Sequence, residues 1–133
     1  MVRPSSIHPT ELELQILKIL WQRAPLSVAE VRQALACGDA RRQLAHTSVI
    51  TTLNIMVRKR YLRRTRHGRA YLYRPCVART DVTGRMLGDM VDRVFDGSAA
   101  TVMLNLLENA DIDQDELTQL RDLINRKAQE ESI

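Results

Sequence analysis

The chain has 133 residues, of which 44% are hydrophobic and 27% charged, a balance typical of a folded domain and not of a disordered chain. Its length suits one ordinary domain, or a small domain with an assembly element. No signal peptide is predicted, and the apolar run Ala99 to Leu104 is too short to span a bilayer, so we expect a cytoplasmic protein without direct membrane association.

Charge is distributed unevenly along the chain, although the net charge is only +4. Residues 1–78 hold 14 Arg/Lys against 4 Asp/Glu, a net +10, whereas residues 79–133 hold 6 against 12, a net −6. This asymmetry indicates a polyanionic partner for the first part and not for the second. An ordinary fluctuation of charge is the alternative, and it fits a difference of this size poorly.

Two short helices with the same start signal are predicted near the beginning of the chain. Thr10 is followed three residues later by Glu13, and Ser27 by Glu30, which is the capping-box pattern of helix N-termini. Apolar residues recur at intervals of three and four after each pair. Pro25 ends the first helix, because proline supplies no backbone N–H.

A third helix is predicted to run to Arg58, capped by Thr47 or Ser48. Hydroxyl groups on its outer face can donate to phosphates or contact base edges, and threonine methyls can touch thymine methyls. Thr47 and Ser48 also lie at a helix N-terminus, which favours a phosphate. The alternative is that these hydroxyls only cap and solvate the helix. The apolar stripe of this helix consists of Val49, Leu53, Met56 and Val57. The residues that lie outside the stripe or at its border are Ser48, Thr51, Thr52, Ile55 and Arg58.

A hairpin is predicted next, with strands Leu62 to Arg66 and Ala70 to Arg74. The turn is His67-Gly68-Arg69, in which the glycine can take a positive φ. Tyr71 and Tyr73 share one strand face, where they can pack on the helices or stack on exposed bases. Core packing is the preferred interpretation.

Eight cations fall between Arg58 and Arg74, a span of 17 residues without an acid. Such a run repels itself unless a polyanion is bound. Three helices followed by a basic hairpin are typical of a winged-helix module, whose third helix enters the DNA major groove while the hairpin contacts the backbone. The predicted DNA-binding residues are Thr47, Ser48, Thr51, Thr52, Ile55, Arg58, Arg63, Arg64, Arg66 and Arg69.

The remainder is predicted as three helices, over Asp81 to Phe95, over Ala99 to Asn109, and from an acidic start at Asp113 with Glu116. Three short amphipathic helices cannot bury all their apolar faces alone, so a second copy of the chain is the expected partner. We thus predict a mainly α fold with a small β-hairpin: a winged helix-turn-helix domain over residues 1–78 and a helical dimerisation region over 79–133. The predicted dimer contacts are Met86, Met90, Val94, Val102, Leu106, Leu117, Leu120 and Ile124.

No motif indicates catalysis, a metal site or a cofactor, so an enzyme is not expected. The histidines His8, His46 and His67 have no nucleophile or carboxylate partner nearby in sequence. Cys37 and Cys76 are isolated and are expected as small buried or half-buried side chains. A redox pair is the alternative.

Several motifs resemble the penicillinase and methicillin-resistance repressor family of bacterial transcription regulators. They are TELELQILKILWQ, LSVAEVRQAL, HTSVITTLNIMVRK, GRAYLYRP and FDGSAATVMLNLLE, and the resemblance covers about residues 8–127. It implies a homodimer that binds palindromic double-stranded DNA operators through an N-terminal winged helix and dimerises through C-terminal helices. The alternative function is a winged-helix module that binds an acidic protein partner or RNA.

The resemblance also implies how repression ends and where this chain differs. Several members are released when a membrane-bound sensor protease triggers cleavage at an Asn–Phe bond, and the matching bond here is Asn105–Leu106. Members usually carry Arg where this chain has Ile55, and Gly where it has Arg60. Copper-responsive members end in a cysteine-rich tail, whereas this chain ends RKAQEESI, so copper sensing by that tail is not expected.

Overall fold

The computed structural model describes residues 8–38 and 41–132. A two-stranded antiparallel sheet follows three helices and precedes three more, which confirms the predicted mainly α fold with its winged helix-turn-helix module. Contacts divide the chain into Met1–Gly88 and Asp89–Ile133, while the boundary drawn from the sequence at 78/79 stays a prediction. The elements are α1 (Glu11–Gln22), α2 (Val28–Cys37), α3 (His46–Arg58), β1 (Leu62–His67), β2 (Ala70–Pro75), α4 (Arg79–Val94), α5 (Ala99–Asn109) and α6 (Gln114–Glu131).

Both predicted capping boxes at the start of the chain are present. At α1 the Glu13 backbone N–H donates to Thr10 Oγ1 at 3.2 Å, and the Thr10 N–H donates to Glu13 Oε1 at 2.8 Å. At α2 the same exchange joins Ser27 and Glu30 at 3.2 and 2.9 Å. The Ser27 N–H donates a hydrogen bond to the Glu30 carboxylate. This bond lowers the pKa of Glu30, because it favours the charged form.

The start of α3 differs from the prediction. Its N-cap is Ala45, without any side-chain capping bond, and the helix begins at His46. The prediction that Thr47 or Ser48 caps this helix is therefore wrong, because both residues lie within its first turn. The first N–H groups of α3 are left without a capping side chain, although helix ends normally find such partners.

The core of the first unit is aliphatic and closes around one tyrosine. Tyr73 of β2 is fully buried against the apolar faces of α1, α2 and α3, which confirms core packing over base stacking for this side chain. Its backbone also pairs with the α1–α2 loop, since Leu26 N donates to Tyr73 O at 3.1 Å and Tyr73 N to Leu26 O at 2.8 Å. This isolated bridge fixes the hairpin to the helices.

The hairpin is tighter than predicted. His67 pairs with Ala70, so the turn holds only Gly68 and Arg69, one residue fewer than expected. Gly68 has φ 65°, and a positive φ at the first central residue is what a two-residue hairpin turn of this kind requires. The basic tip of the hairpin is thereby a two-residue turn that carries Arg69.

A left-handed residue ends α3. Arg60 has φ 66° and follows the C-cap Lys59. The N–H of Arg60 donates to Val57 O at 3.0 Å and that of Tyr61 to Met56 O at 2.9 Å. These two bonds define a Schellman motif, in which the left-handed position is usually glycine. Arg60 thus holds a backbone conformation that favours glycine, the residue that the family resemblance implies at this position.

The helices of the second unit expose their apolar residues. None of the residues of α5 or α6 is buried, and leucines such as Leu106 and Leu123 are 53% exposed. α6 begins with a capping box of Asp113 and Glu116, as predicted. Contiguous apolar surface of this kind is typical of interaction sites of soluble proteins.

The two cysteines are free and exposed, so the expectation that Cys37 and Cys76 are buried or half-buried is wrong.

Candidate nucleic-acid interface

The outer face of α3 presents hydroxyls and one arginine to solvent. Thr47, Ser48, Thr51 and Arg58 are exposed, whereas Thr52 and Ile55 are half-buried at the border of the face. The Thr52 hydroxyl donates to the Ser48 backbone carbonyl at 2.9 Å. Its proton is therefore used inside the helix, and only its acceptor capacity remains for a ligand.

The hairpin of β1 and β2, called the wing below, carries arginines on both of its faces. Arg64 and Arg66 lie opposite Tyr73 and Tyr71 and share their face, whereas Arg63 lies on the other face. All three arginines are exposed, as is Arg69 in the turn. Their charges are therefore available on both sides of the hairpin.

These arginines have no carboxylate partners within the described residues 8–38 and 41–132, where the ion pairs involve Arg42, Lys59, Arg93 and Arg121 instead. Unpaired exposed cations at this density raise the local concentration of anions. Phosphates spaced along a duplex are the anions that an extended set of arginines neutralises best.

Helix α3 and the wing meet at an open hollow. Arg64 Nη1 donates to Asn54 Oδ1 at 2.8 Å, which joins β1 to α3. The hollow has a volume of about 470 Å³ and is lined by Thr51, Asn54, Val57, Arg58 and Arg64. Thr51, Arg58 and Arg64, three of the residues predicted to bind DNA, therefore lie around one concave surface.

Asn54 is the member of this surface that sequence reasoning missed. Its position between the buried stripe and the outer face of α3 gives no clear periodic signal, since it belongs to neither. The hydrogen bond to Arg64 spans ten residues and depends on how the hairpin folds back on the helix. Nothing in the sequence spacing predicts that contact.

No three His, Cys, Asp or Glu side chains in the described part of the chain are grouped so that they could hold a metal ion. None of its helices has both the length and the hydropathy that a membrane crossing needs.

The fold and the basic face define a winged-helix DNA-binding protein. The family model described as penicillinase repressor matches residues 9–126. The chain therefore belongs to the penicillinase repressor family, and it is a DNA-binding transcriptional repressor of the winged-helix type. The resemblance inferred from its motifs is confirmed, and the family is one of repressors, not of enzymes.

Individual relatives are distant. The transcriptional regulator BlaI of Mycobacterium tuberculosis is 30% identical over 106 residues, which cover 78% of this chain and 75% of that protein. The methicillin resistance regulatory protein MecI of Mammaliicoccus sciuri is 21% identical over 115 residues, covering 86% and 91%. The solution structure of the DNA-binding domain of the repressor BlaI is 22% identical, covers 54% of this chain and 84% of that chain, and has a TM-score of 0.47.

Proposed function

We propose that this chain represses transcription in the cytoplasm as a homodimer that occupies a palindromic DNA operator and blocks the polymerase. The observation that carries the proposal is the basic surface made by the outer face of α3 and the arginines of the wing. Within it, α3 is proposed to read base edges in the major groove, and the wing to bind the adjacent backbone.

The ten DNA-binding residues named from the sequence divide into two proposed roles. Thr51, with Ile55 and the hydroxyls near it, is proposed to contact bases, because it lies on the outer half of α3. Arg58 and the wing arginines are proposed to contact phosphates, because they surround that face with positive charge.

A salt titration of DNA binding tests this function. Operator affinity, measured by fluorescence anisotropy of a labelled duplex, should fall linearly with salt on a log–log plot, with a slope of about −0.9 per phosphate neutralised. An affinity that does not change with salt would contradict the proposal that this basic surface binds DNA. Tighter salt-dependent binding to RNA, or to an acidic protein, would favour the alternative function instead.

The homodimer is supported by the exposed apolar side chains of the second unit. Val94 is 66% exposed, Leu106 53% and Ile124 54%. A second copy of the same chain is proposed to cover them, since two-fold symmetry then matches the symmetry of a palindromic operator. The proposed contact residues remain Met86, Met90, Val94, Val102, Leu106, Leu117, Leu120 and Ile124.

Release by a membrane-bound sensor and protease system is the regulatory part of the proposal. The bond Asn105–Leu106 lies inside α5, and Asn109 Nδ2 donates to the Asn105 carbonyl at 3.0 Å. Proteases act on extended backbone, so cleavage at this bond requires α5 to open locally. Mass spectrometry of the chain recovered from induced cells would identify the cleaved bond.

A further inference from the structure

Asn54 lies on the flank of α3 that faces the wing. Its Oδ1 accepts from Arg64 Nη1 at 2.8 Å and from the Tyr73 hydroxyl at 3.3 Å. Because a guanidinium has donors only, the amide atom that faces Arg64 must be the oxygen. One side-chain oxygen of the reader helix thus contacts both strands of the hairpin.

The Tyr73 end of this arrangement is anchored in the core. Tyr73 is fully buried, and its backbone exchanges two hydrogen bonds with Leu26. Its hydroxyl therefore holds the Asn54 amide from a fixed point in the core. The amide orientation is set before any ligand arrives.

The Arg64 end is exposed but held at two points. Its guanidinium lies 4.3 Å from the centre of the Tyr71 ring, and Arg66 lies 5.6 Å from the same ring. Stacking on an aromatic face and a hydrogen bond to an amide together restrict a side chain that is otherwise mobile. Of its five N–H donors, four are not used by Asn54.

The held guanidinium lies where the reader helix and the wing both meet the open hollow, beside Thr51 and Arg58. We propose that Asn54 is a positioning residue for DNA recognition, which fixes Arg64 of the wing beside the outer face of α3. Wing and reader helix then contact DNA as one preformed surface, and less side-chain freedom is lost on binding. This inference rests on the proposed function and names a residue on which the affinity for DNA depends.

A purely structural role is the competing explanation, in which Asn54 only fastens the hairpin to the helix. That role would change stability without linking Asn54 to Arg64 in DNA affinity. A double-mutant cycle on binding separates the two, because it measures the coupling between the residues and not the effect of either alone.

The cycle uses the full chain and a duplex that the purified protein selects from a random DNA library. Asn54→Ala and Arg64→Ala should each weaken binding roughly tenfold, and the double variant no more than the weaker-binding single variant, since Asn54 acts through Arg64. Affinities that fall by the product of the two single effects would overturn the inference. Selection that enriches no duplex would overturn the proposed function, and the inference with it.

Arg63 provides the matched control. It lies on the same strand with the same charge, but on the opposite face. The effects of Asn54→Ala and Arg63→Ala should multiply, because the two side chains lie on different sides of the hairpin. Coupling as strong as that with Arg64 would show a general disturbance of the wing and would contradict the positioning role.

A second variant keeps the test valid if Asn54→Ala fails to fold. Arg64→Lys retains the charge at an exposed site but loses the planar fork and most of the stacking on Tyr71. It should weaken binding about fivefold while the salt slope stays unchanged, since the count of cations is the same. Binding equal to that of the natural chain would overturn the inference.

Discussion

Lys59 at the end of α3 and Glu13 at the start of α1 form a bidentate ion pair, with Nζ at 3.1 Å from Oε1 and 3.0 Å from Oε2. The Glu13 side chain is 4% exposed and that of Lys59 26%. Because Glu13 Oε1 also accepts the Thr10 N–H, one carboxylate both caps α1 and joins it to the end of α3, the helix proposed to read DNA. Stability and placement of the interface are thereby linked.

The first prediction concerns this pair. Lys59→Met should lower the free energy of unfolding by about 2–3 kcal/mol, because Glu13 then keeps a buried charge without its counter-ion. Urea unfolding measures the change. Adding Glu13→Gln to this variant should recover part of the loss, since glutamine still accepts the Thr10 N–H but carries no charge. A double variant as unstable as Lys59→Met alone would contradict the account.

Arg60 allows a test of backbone conformation. Its φ of 66° is costly for any residue with a Cβ, so Arg60→Gly should stabilise the chain by about 1 kcal/mol despite the greater freedom of glycine when unfolded. Arg60→Ala is the matched control, because it removes the same side chain and keeps the Cβ. Thermal unfolding should rank glycine above alanine, and equal midpoints would show that the left-handed position carries no strain.

The wing and the reader helix should respond differently in a binding assay across an operator library. Arg66→Ala or Arg69→Ala should weaken binding to all sequences similarly and reduce the salt slope by about 1, as expected for a lost phosphate contact. Thr51→Ala should instead change which sequences are preferred, since its hydroxyl and methyl are proposed to meet base edges. The opposite pattern would mean that the two elements have exchanged roles.

Leu120 tests the proposed dimer. Leu120→Asp places a charge among the apolar side chains of α6, where Leu120 is 40% exposed, and should convert the dimer to a monomer in analytical ultracentrifugation. Gln129→Asp adds the same charge at an exposed position nine residues on, which lies on the opposite side of the helix, and should leave the dimer intact. Dimers in both variants, or monomers in both, would argue against this face as the contact.

Glu30 predicts a dependence of stability on pH. Its folded pKa is lowered below the ordinary value of 4.5, so the stability it contributes is present above that pH and is lost as pH falls through the lower, folded pKa. Glu30→Gln keeps an acceptor for the Ser27 N–H but does not titrate. Thermal midpoints of this variant should therefore decline less in acid than those of the natural chain, and an identical decline would exclude Glu30 as a source.

Much of the fold follows from local signals. Hydroxyl residues followed three positions later by glutamate predicted the starts of α1 and α2, and Asp113 with Glu116 that of α6, because a capping box is complete within four residues. The start of α3 was misplaced, since Ala45 caps it without a side-chain bond and leaves no such signal. The exposure of Cys37 was not predicted either, because the burial of one small residue depends on neighbours that are distant in the sequence.

By itself, the sequence determined the order of the elements, the family and the basic surface, since periodicity, caps and charge are properties of adjacent residues. Tertiary structure decided three things that spacing does not contain. The backbone of Tyr73 pairs with that of Leu26, Glu13 forms an ion pair with Lys59, and Asn54 accepts a hydrogen bond from Arg64. Each depends on segments ten or more residues apart meeting at hydrogen-bond or packing distance, and only the folded chain brings them there.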